Sequence, residues 1–397
     1  MNKRHTIGLF IDTYFPMIDG VTMVVDNYAR RLNKYANVIV FAPKIYGKKF
    51  DDNKLPYKII RCKSVKFPLI DYSLPLPKID KKFMKEINRY RLDIVHIHSP
   101  ATIGKLGIDY AKKNNIPVVA TMHSQYEKDI KRALKNRIIA KYINKILMKK
   151  IFDKCDECWA VNSEVARIFY EDYKCKTRPK VMNNATEMLP VEDKKKSRYI
   201  IENRYNIKKD EKIFLFVGRI NLLKNILFIV DSLKLLKTTY PEIKFKMLFV
   251  GSGQDELKLK KYIIQTEMQE EIIMCGRIIE REELAKYYSA ADLFLFPSLY
   301  DASSVVQIEA ASQKTPGVFI REAATAATII DNVNGYIAEN TPEKYSEKIA
   351  EIINNQTRYK EICENTYRDL YVNWDDKIDE IYSLYMNLIT RMKKWCL

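Results

Sequence analysis

Strand and helix signals alternate from one end of the 397-residue sequence to the other, which predicts an α/β fold of two parallel sheets, each with helices on both faces. Three observations carry that prediction. The chain is too long for one ordinary hydrophobic core, so two domains are the natural division. Apolar runs such as Thr6 to Ile11 and Ile213 to Val217 end in short polar or glycine-bearing turns and lead into helical patterns. Charge is also divided unevenly. Residues 1–190 hold 37 Lys plus Arg against 19 Asp plus Glu, whereas residues 191–397 hold 31 against 31, so the whole formal charge of +18 lies in the first half. A compositional bias toward lysine would raise both halves; the asymmetry points to one domain that meets an anionic partner or surface.

The bulk composition, 47% hydrophobic and 30% charged, is that of a soluble globular protein. No apolar run approaches the ~20 residues that cross a bilayer. Near the start, only five apolar-rich positions precede Asp12, which reads as a first strand rather than a signal peptide. Seven scattered cysteines without a secretory segment imply reduced thiols in a cytoplasm. Cys155 and Cys158 form a lone C-x-x-C, for which zinc or redox chemistry competes with plain thiols; no second pair supplies ligand spacing.

In the first half, Thr6 to Ile11 is a strand, Asp12 to Gly20 a loop, Val21 to Asn33 a helix and Asn37 to Phe41 a second strand. No G-x-G-x-x-G follows the first strand, so a dinucleotide cofactor is not indicated. Gly20 permits close backbone approach by a ligand. The strand Asp93 to His98 and the strand Pro117 to Met122 bring His96, His98 and His123 to or near two strand ends, where ligands of open parallel sheets bind. A three-histidine metal site and a set of neutral, hydrogen-bonding imidazoles both fit; no carboxylate with ligand spacing stands among them, which favours the second. Lys128 to Lys154 carries ten basic residues on a helical apolar period, as either a domain helix with solvated lysines or a helix that also docks on anionic lipid headgroups. Glu157 to Val161 is a strand, Ser163 a helix cap, and the lysine-rich run Pro190 to Lys212 an interdomain linker with the next domain's first turn.

In the second half, Gly218-Arg219 and Lys224 bracket the loop between a strand and a helix, a geometry suited to a diphosphate. Gly251-Ser252-Gly253 marks a second strand-to-helix crevice, and Gly276-Arg277-Ile278 a third. The strand Asp292 to Phe296 then runs through a polar turn into an alanine-rich helix. Asp301 sits in that turn and Glu309 in the helix, so two acids reach one ligand from different heights. A lone turn residue and a serine cap would explain them separately.

Taken together, Asp12 to Gly20, His98, His123, Arg219 with Lys224, and Asp301 with Glu309 resemble, in order, the family 4 retaining glycosyltransferases. The resemblance spans nearly the whole chain. It implies the GT-B fold: two Rossmann-like domains facing a cleft, the first (1–188) binding an acceptor and completed by a C-terminal helix (376–397), the second (189–375) binding a nucleoside-diphosphate sugar. By the same resemblance, Arg219 and Lys224 take the diphosphate, Gly20 and Gly251 lie beside the donor, Arg277 and Ile278 meet the base, and Asp301, Ala302, Ser303, Ser304 and Val305 grip the sugar. Glu309 holds the ribose. His123, Asp301, Arg219 and Lys224 carry catalysis, and Tyr14, His98 and His123 line the acceptor side.

No D-x-D occurs, so no metal-bridged diphosphate is needed and no cofactor is implied. The sequence departs from the family where Asp301 replaces the usual glutamate and where Ala323-Ala324-Thr325 replaces a glycine pair. The expected activity is therefore hexosyl transfer, with uridine diphosphate as the nucleotide, to a glycolipid or glycan at the inner membrane face. The departures keep open a non-catalytic partner of another transferase, and an epimerase of the same fold would act without an acceptor. Charge alone, without aromatic stacking motifs, does not make a nucleic-acid binder.

Overall fold

The computed structural model describes residues 4–17, 19–66, 73–123 and 137–395. It falls into two compact units, residues 1–183 with 374–397, and residues 184–373.

Unit 1 contains β1 (Thr6–Phe10), α1 (Gly20–Leu32), β2 (Asn37–Pro43), β3 (Lys58–Cys62), β4 (Ser64–Lys66), β5 (Ser73–Pro75), α2 (Lys81–Ile87), β6 (Ile94–Ile97), α3 (Thr102–Asn114), β7 (Val118–Met122), α4 (Arg137–Phe152), β8 (Glu157–Ala160), α5 (Ser163–Arg167) and β9 (Lys180–Val181). Seven strands pair in the order β3-β2-β1-β6-β7-β8-β9, all parallel, while β4 and β5 form a separate antiparallel pair. Buried on both faces, the central strands are continuous apolar runs: β1 and β7 expose essentially nothing of Ile7, Leu9, Phe10, Val119 and Ala120. The C-terminal helix Trp374–Trp395 belongs to this unit, and its Tyr385 hydroxyl meets His96 Nδ1 in the core.

Unit 2 contains α6 (Lys194–Tyr205), β10 (Lys212–Val217), α7 (Ile226–Thr239), β11 (Phe245–Val250), α8 (Glu256–Gln265), β12 (Ile272–Gly276), α9 (Arg281–Ala290), β13 (Leu293–Leu295), α10 (Val305–Ser312), β14 (Gly317–Ile320), β15 (Tyr336–Ala338), α11 (Pro342–Asn354) and α12 (Gln356–Leu370). Its six parallel strands run β12-β11-β10-β13-β14-β15. In both sheets the strand order reverses beside the first strand, between β1 and β6 and between β10 and β13, and the loops leaving those carboxyl ends open a crevice.

Two local expectations are corrected. The stretch 190–212 is no linker: α6 occupies most of it, with Ser197 and Ile201 buried and Arg198 reaching Asp292 at 2.7 Å, Glu202 at 2.6 Å and the carbonyls of Ala290 and Glu211. Its polar composition hides a narrow buried stripe. At α5 the cap is Asn162, whose side chain accepts from Val165 N at 2.8 Å, with Ser163 inside the first turn. The basic stretch from Lys128 is described only from Arg137 onward, as α4.

Candidate functional site

At the carboxyl edge of unit 1, the side chains are enclosed and hydrogen-bonded within the unit. Asp12, first residue of the loop after Ile11, accepts from Ile103 N at 2.7 Å, Gly104 N at 3.2 Å, Ser99 Oγ at 2.8 Å and Thr102 Oγ1 at 3.0 Å. It thereby caps α3, whose own cap residue Ala101 offers no side-chain acceptor. Burial lifts its pKa above the usual carboxylate value, against those four hydrogen bonds.

His98 Nδ1 and His123 Nε2 share a hydrogen bond of 3.0 Å, and His96 Nε2 meets Thr121 Oγ1 at 2.7 Å. Burial depresses all three imidazoles: His96 and His98 well below the ordinary value, His123 to about 3. They are therefore uncharged hydrogen-bonding groups at neutral pH. Among the described residues, no cluster of three or more His, Cys, Asp or Glu is arranged to hold a metal ion. Cys155 and Cys158 are free thiols, with Cys155 raised by its hydrogen bond to Cys158 and by burial.

Tyr14 does not face outward as an acceptor residue would. It is fully buried, its hydroxyl lies 2.7 Å from that of Tyr57, and Tyr57 donates to Asp26, which Arg30 Nε grips through both oxygens. The ring braces the loop from within. Gly20 is exposed as the first residue of α1, behind Asp19, whose carboxylate accepts from Thr22 N at 2.8 Å. Among the described residues, and apart from its chain neighbours and its own helix backbone, no atom lies within 4 Å of where a Cβ on Gly20 would stand.

Unit 2 presents charge instead. The loops after β10, β11 and β12 are stitched together by Gly218 N to Val250 O at 3.0 Å, Ile220 N to Ser252 O at 3.0 Å and Gly251 N to Gly276 O at 2.8 Å. Gly251 has φ +144°, and a Cβ on it would stand 1.9 Å from Gly218 O, so this position is closed to any side chain. Arg219 and Arg277 lie exposed on these loops, with Ile278 partly covered.

Lys224 ends a short 3₁₀ turn, and Asn225, at φ +59°, opens α7. The Lys224 ammonium sits on Asp301 Oδ1, and Ser298 Oγ donates to Asp301 Oδ2 at 2.6 Å. Their side chains keep 17% and 16% of their surface open, enough for a ligand to reach both. Beyond Asp301, Ala302 and Ser304 are buried, Ser303 Oγ accepts from Asn184 Nδ2 at 3.3 Å, and Val305 begins α10 without a side-chain cap from Ser304. Glu309, one turn into α10, is buried and already held: Arg281 Nη2 donates to Oε1 and Tyr288 Oη to Oε2 at 2.9 Å.

The structure thus brings Lys224 onto Asp301 and sets Glu309 on the helix that follows. Asn184, Arg281, Tyr288 and Ser298 are members that sequence reasoning missed. Only Ser298, three residues before Asp301, carried a local signal.

Two parallel α/β units, the second with loop-borne cations and acids at the carboxyl edge of its sheet, are what a transferase of GT-B architecture requires. Known proteins agree along the whole chain. The model described as Glycosyltransferase Family 4 matches residues 18–187, and that described as Glycosyl transferases group 1 matches residues 197–369. Alpha-monoglucosyldiacylglycerol synthase of Streptococcus pneumoniae is 29% identical over 78% of this chain and 70% of its own length; the protein of that name from Acholeplasma laidlawii is 25% identical over 98% of both. Sucrose-phosphate synthase of Thermosynechococcus elongatus has the same fold, with a TM-score of 0.77 at 20% identity over 98% of this chain and 100% of that one. The chain belongs to the family 4 glycosyltransferases.

Proposed function

We propose that this protein is a retaining hexosyltransferase that moves a glucosyl unit from a uridine-diphosphate sugar to diacylglycerol, or to a closely related glycolipid, at the inner face of the membrane. One observation carries the donor side: the Lys224 ammonium paired with Asp301 beyond the β10 and β13 ends, an ion pair that a sugar diphosphate can open by offering its phosphate to the lysine and its hydroxyls to the acid. The acceptor follows from the two synthases named above, which match this chain over most of its length. No helix of the described residues is long and apolar enough to cross a membrane, so a lipid acceptor requires docking on the membrane surface, for which the basic excess of the first half is suited.

In this reaction the C1–O bond to the diphosphate breaks with its electron pair passing to phosphate oxygen. The acceptor oxygen attacks C1 from the same face, and its proton goes to that departing phosphate. Lys224 and Arg219 neutralise the charge that gathers there, so no metal is required of the site.

The test is incubation with labelled UDP-glucose and diacylglycerol in mixed micelles, with and without a chelator. The expected product is a glucosyl lipid whose anomeric proton coupling is that of the α linkage, formed at the same rate under chelation. A β product refutes retention, and UDP release without a lipid product refutes the acceptor. Failure to consume any sugar nucleotide would favour the non-catalytic reading that Asp301, shorter than glutamate and drawn onto Lys224, keeps open.

A further inference from the structure

Arg281 is the first residue of α9, directly after the loop that carries Arg277 and Ile278, and it stands between two acids of unit 2. Its Nη2 donates to Glu309 Oε1, and its Nε lies 3.5 Å from Glu187 Oε1. The side chains differ sharply in exposure, 40% for Arg281 against 4% for Glu309. Nη2 of the guanidinium is spent on a buried carboxylate, and Nε is itself buried with no hydrogen-bond partner among the described residues, so the exposure of the side chain lies elsewhere along it. A carboxylate so deeply enclosed needs a charged partner to hold it in place, and Tyr288 supplies only a hydroxyl to the other oxygen. Burial works against the charge of Arg281, but Glu309, Glu187 and Tyr288 together hold its pKa above the ordinary arginine value.

Each Glu309 oxygen thus has one protein donor. An ionised carboxylate has about four acceptor positions, so one lone pair per oxygen remains for a ligand. That pair of acceptors, held at a fixed tilt, matches a ligand with two adjacent hydroxyls. We propose that Arg281 is a positioning residue for nucleotide recognition: by clamping Glu309 it aims the carboxylate at the vicinal 2′ and 3′ hydroxyls of a ribonucleoside diphosphate, and so sets the preference for ribose over 2′-deoxyribose. This rests on the nucleotide-sugar reading above and extends it to a residue outside the motif. A flexible, unclamped carboxylate would still attract hydroxyls but would lose the geometry that distinguishes two from one.

Calorimetric titration of the full chain with UDP and with 2′-deoxy-UDP tests it, on the native protein and on Arg281→Gln and Arg281→Lys, each checked by its melting temperature. The native protein should prefer UDP by about tenfold or more. Arg281→Gln should narrow that preference to within about twofold, chiefly by weakening UDP, and Arg281→Lys should restore part of it. If both nucleotides weaken equally in Arg281→Gln, so that the preference is unchanged, Arg281 is only a structural brace and the proposal falls alone. If the native protein binds neither nucleotide, the donor reading falls and takes this proposal with it.

Discussion

The carboxyl edge of the first sheet and that of the second are made of opposite materials. In unit 1 the polar groups are uncharged or already spent: three imidazoles kept neutral by burial, and Asp12 absorbed into the N-terminus of α3. In unit 2 the groups come as ion pairs, Lys224 with Asp301 and Arg281 with Glu309. In the proposed reaction, a ligand with both phosphate and hydroxyls takes the place of a partner in such a pair. A neutral imidazole offers hydrogen bonds and no field. The difference matches the proposed roles, charge exchange in unit 2 and uncharged contact in unit 1.

The sharpest way to break that division is to remove its central cation. Lys224→Ala should lower turnover by about a hundredfold or more, since one preorganised donor to developing charge is worth roughly 3 kcal/mol. Steady-state rates with the sugar donor check it, and a loss of only a few-fold would mean that the diphosphate is neutralised elsewhere. Asp301, freed of Lys224, keeps Ser298, so the fold should survive the change.

Backbone packing under the charged edge gives the next effect. At Gly251 a side chain would need both a φ of +144° and a Cβ 1.9 Å from Gly218 O. Gly251→Ala should therefore destabilise unit 2 by on the order of 3 kcal/mol, through strain and displacement of the adjoining loop. Denaturant unfolding would show it. An unchanged midpoint would mean that the stitched loops yield at little cost.

The neutral edge predicts a pH signature. His123 titrates near 3 when folded, against 6.5 for a free imidazole. Between those values the unfolded chain binds the extra proton, so stability is full above pH 6.5 and falls as pH drops toward 3. At pH 4.5 this single residue should cost about 2 to 3 kcal/mol. His96 and His98 shift in the same direction and add to the loss. Urea midpoints at pH 7 and pH 4.5 should therefore differ less in His123→Gln than in the native chain. Equal slopes would place a charged imidazole at this edge and remove the contrast between the units.

How much of this was written in the sequence depends on the range of each interaction. Alternating strands and helices, and motifs such as Arg219 with Lys224 or Asp301 with Glu309, are local patterns; a parallel sheet delivers the loops after its strands to one edge whatever else the chain contains. Arg281 and Tyr288 were invisible because their bond to Glu309 spans 28 and 21 residues, and Asn184 meets Ser303 across 119. Nothing in a lysine-rich segment announced α6 either, because one of its anchors, Arg198, reaches across 94 residues to Asp292. Tyr14 shows the same limit: a tyrosine in a ligand-type loop looks available in the sequence, but Tyr57, 43 residues on and just before β3, shares its hydroxyl.

Gly20 and Gly251 make the smallest and most discriminating test, since both belong to strand-to-helix loops and only one is confined. Around Gly20, among the described residues and apart from its chain neighbours and its own helix backbone, no atom lies within 4 Å of an added Cβ, and its φ lies outside the left-handed region, so the fold does not require glycine there. Gly20→Ala should change stability by less than about 0.5 kcal/mol, as surface substitutions usually do. If a donor or acceptor approaches the first turn of α1 through the backbone, the same methyl should still raise KM for that substrate several-fold, because it occupies the space the ligand needs. Melting temperature and KM measured on one preparation separate the two effects. A variant with native melting and native KM would show that the open space at Gly20 is ordinary solvent, leaving the loop's contribution to its capped helix and to Asp12.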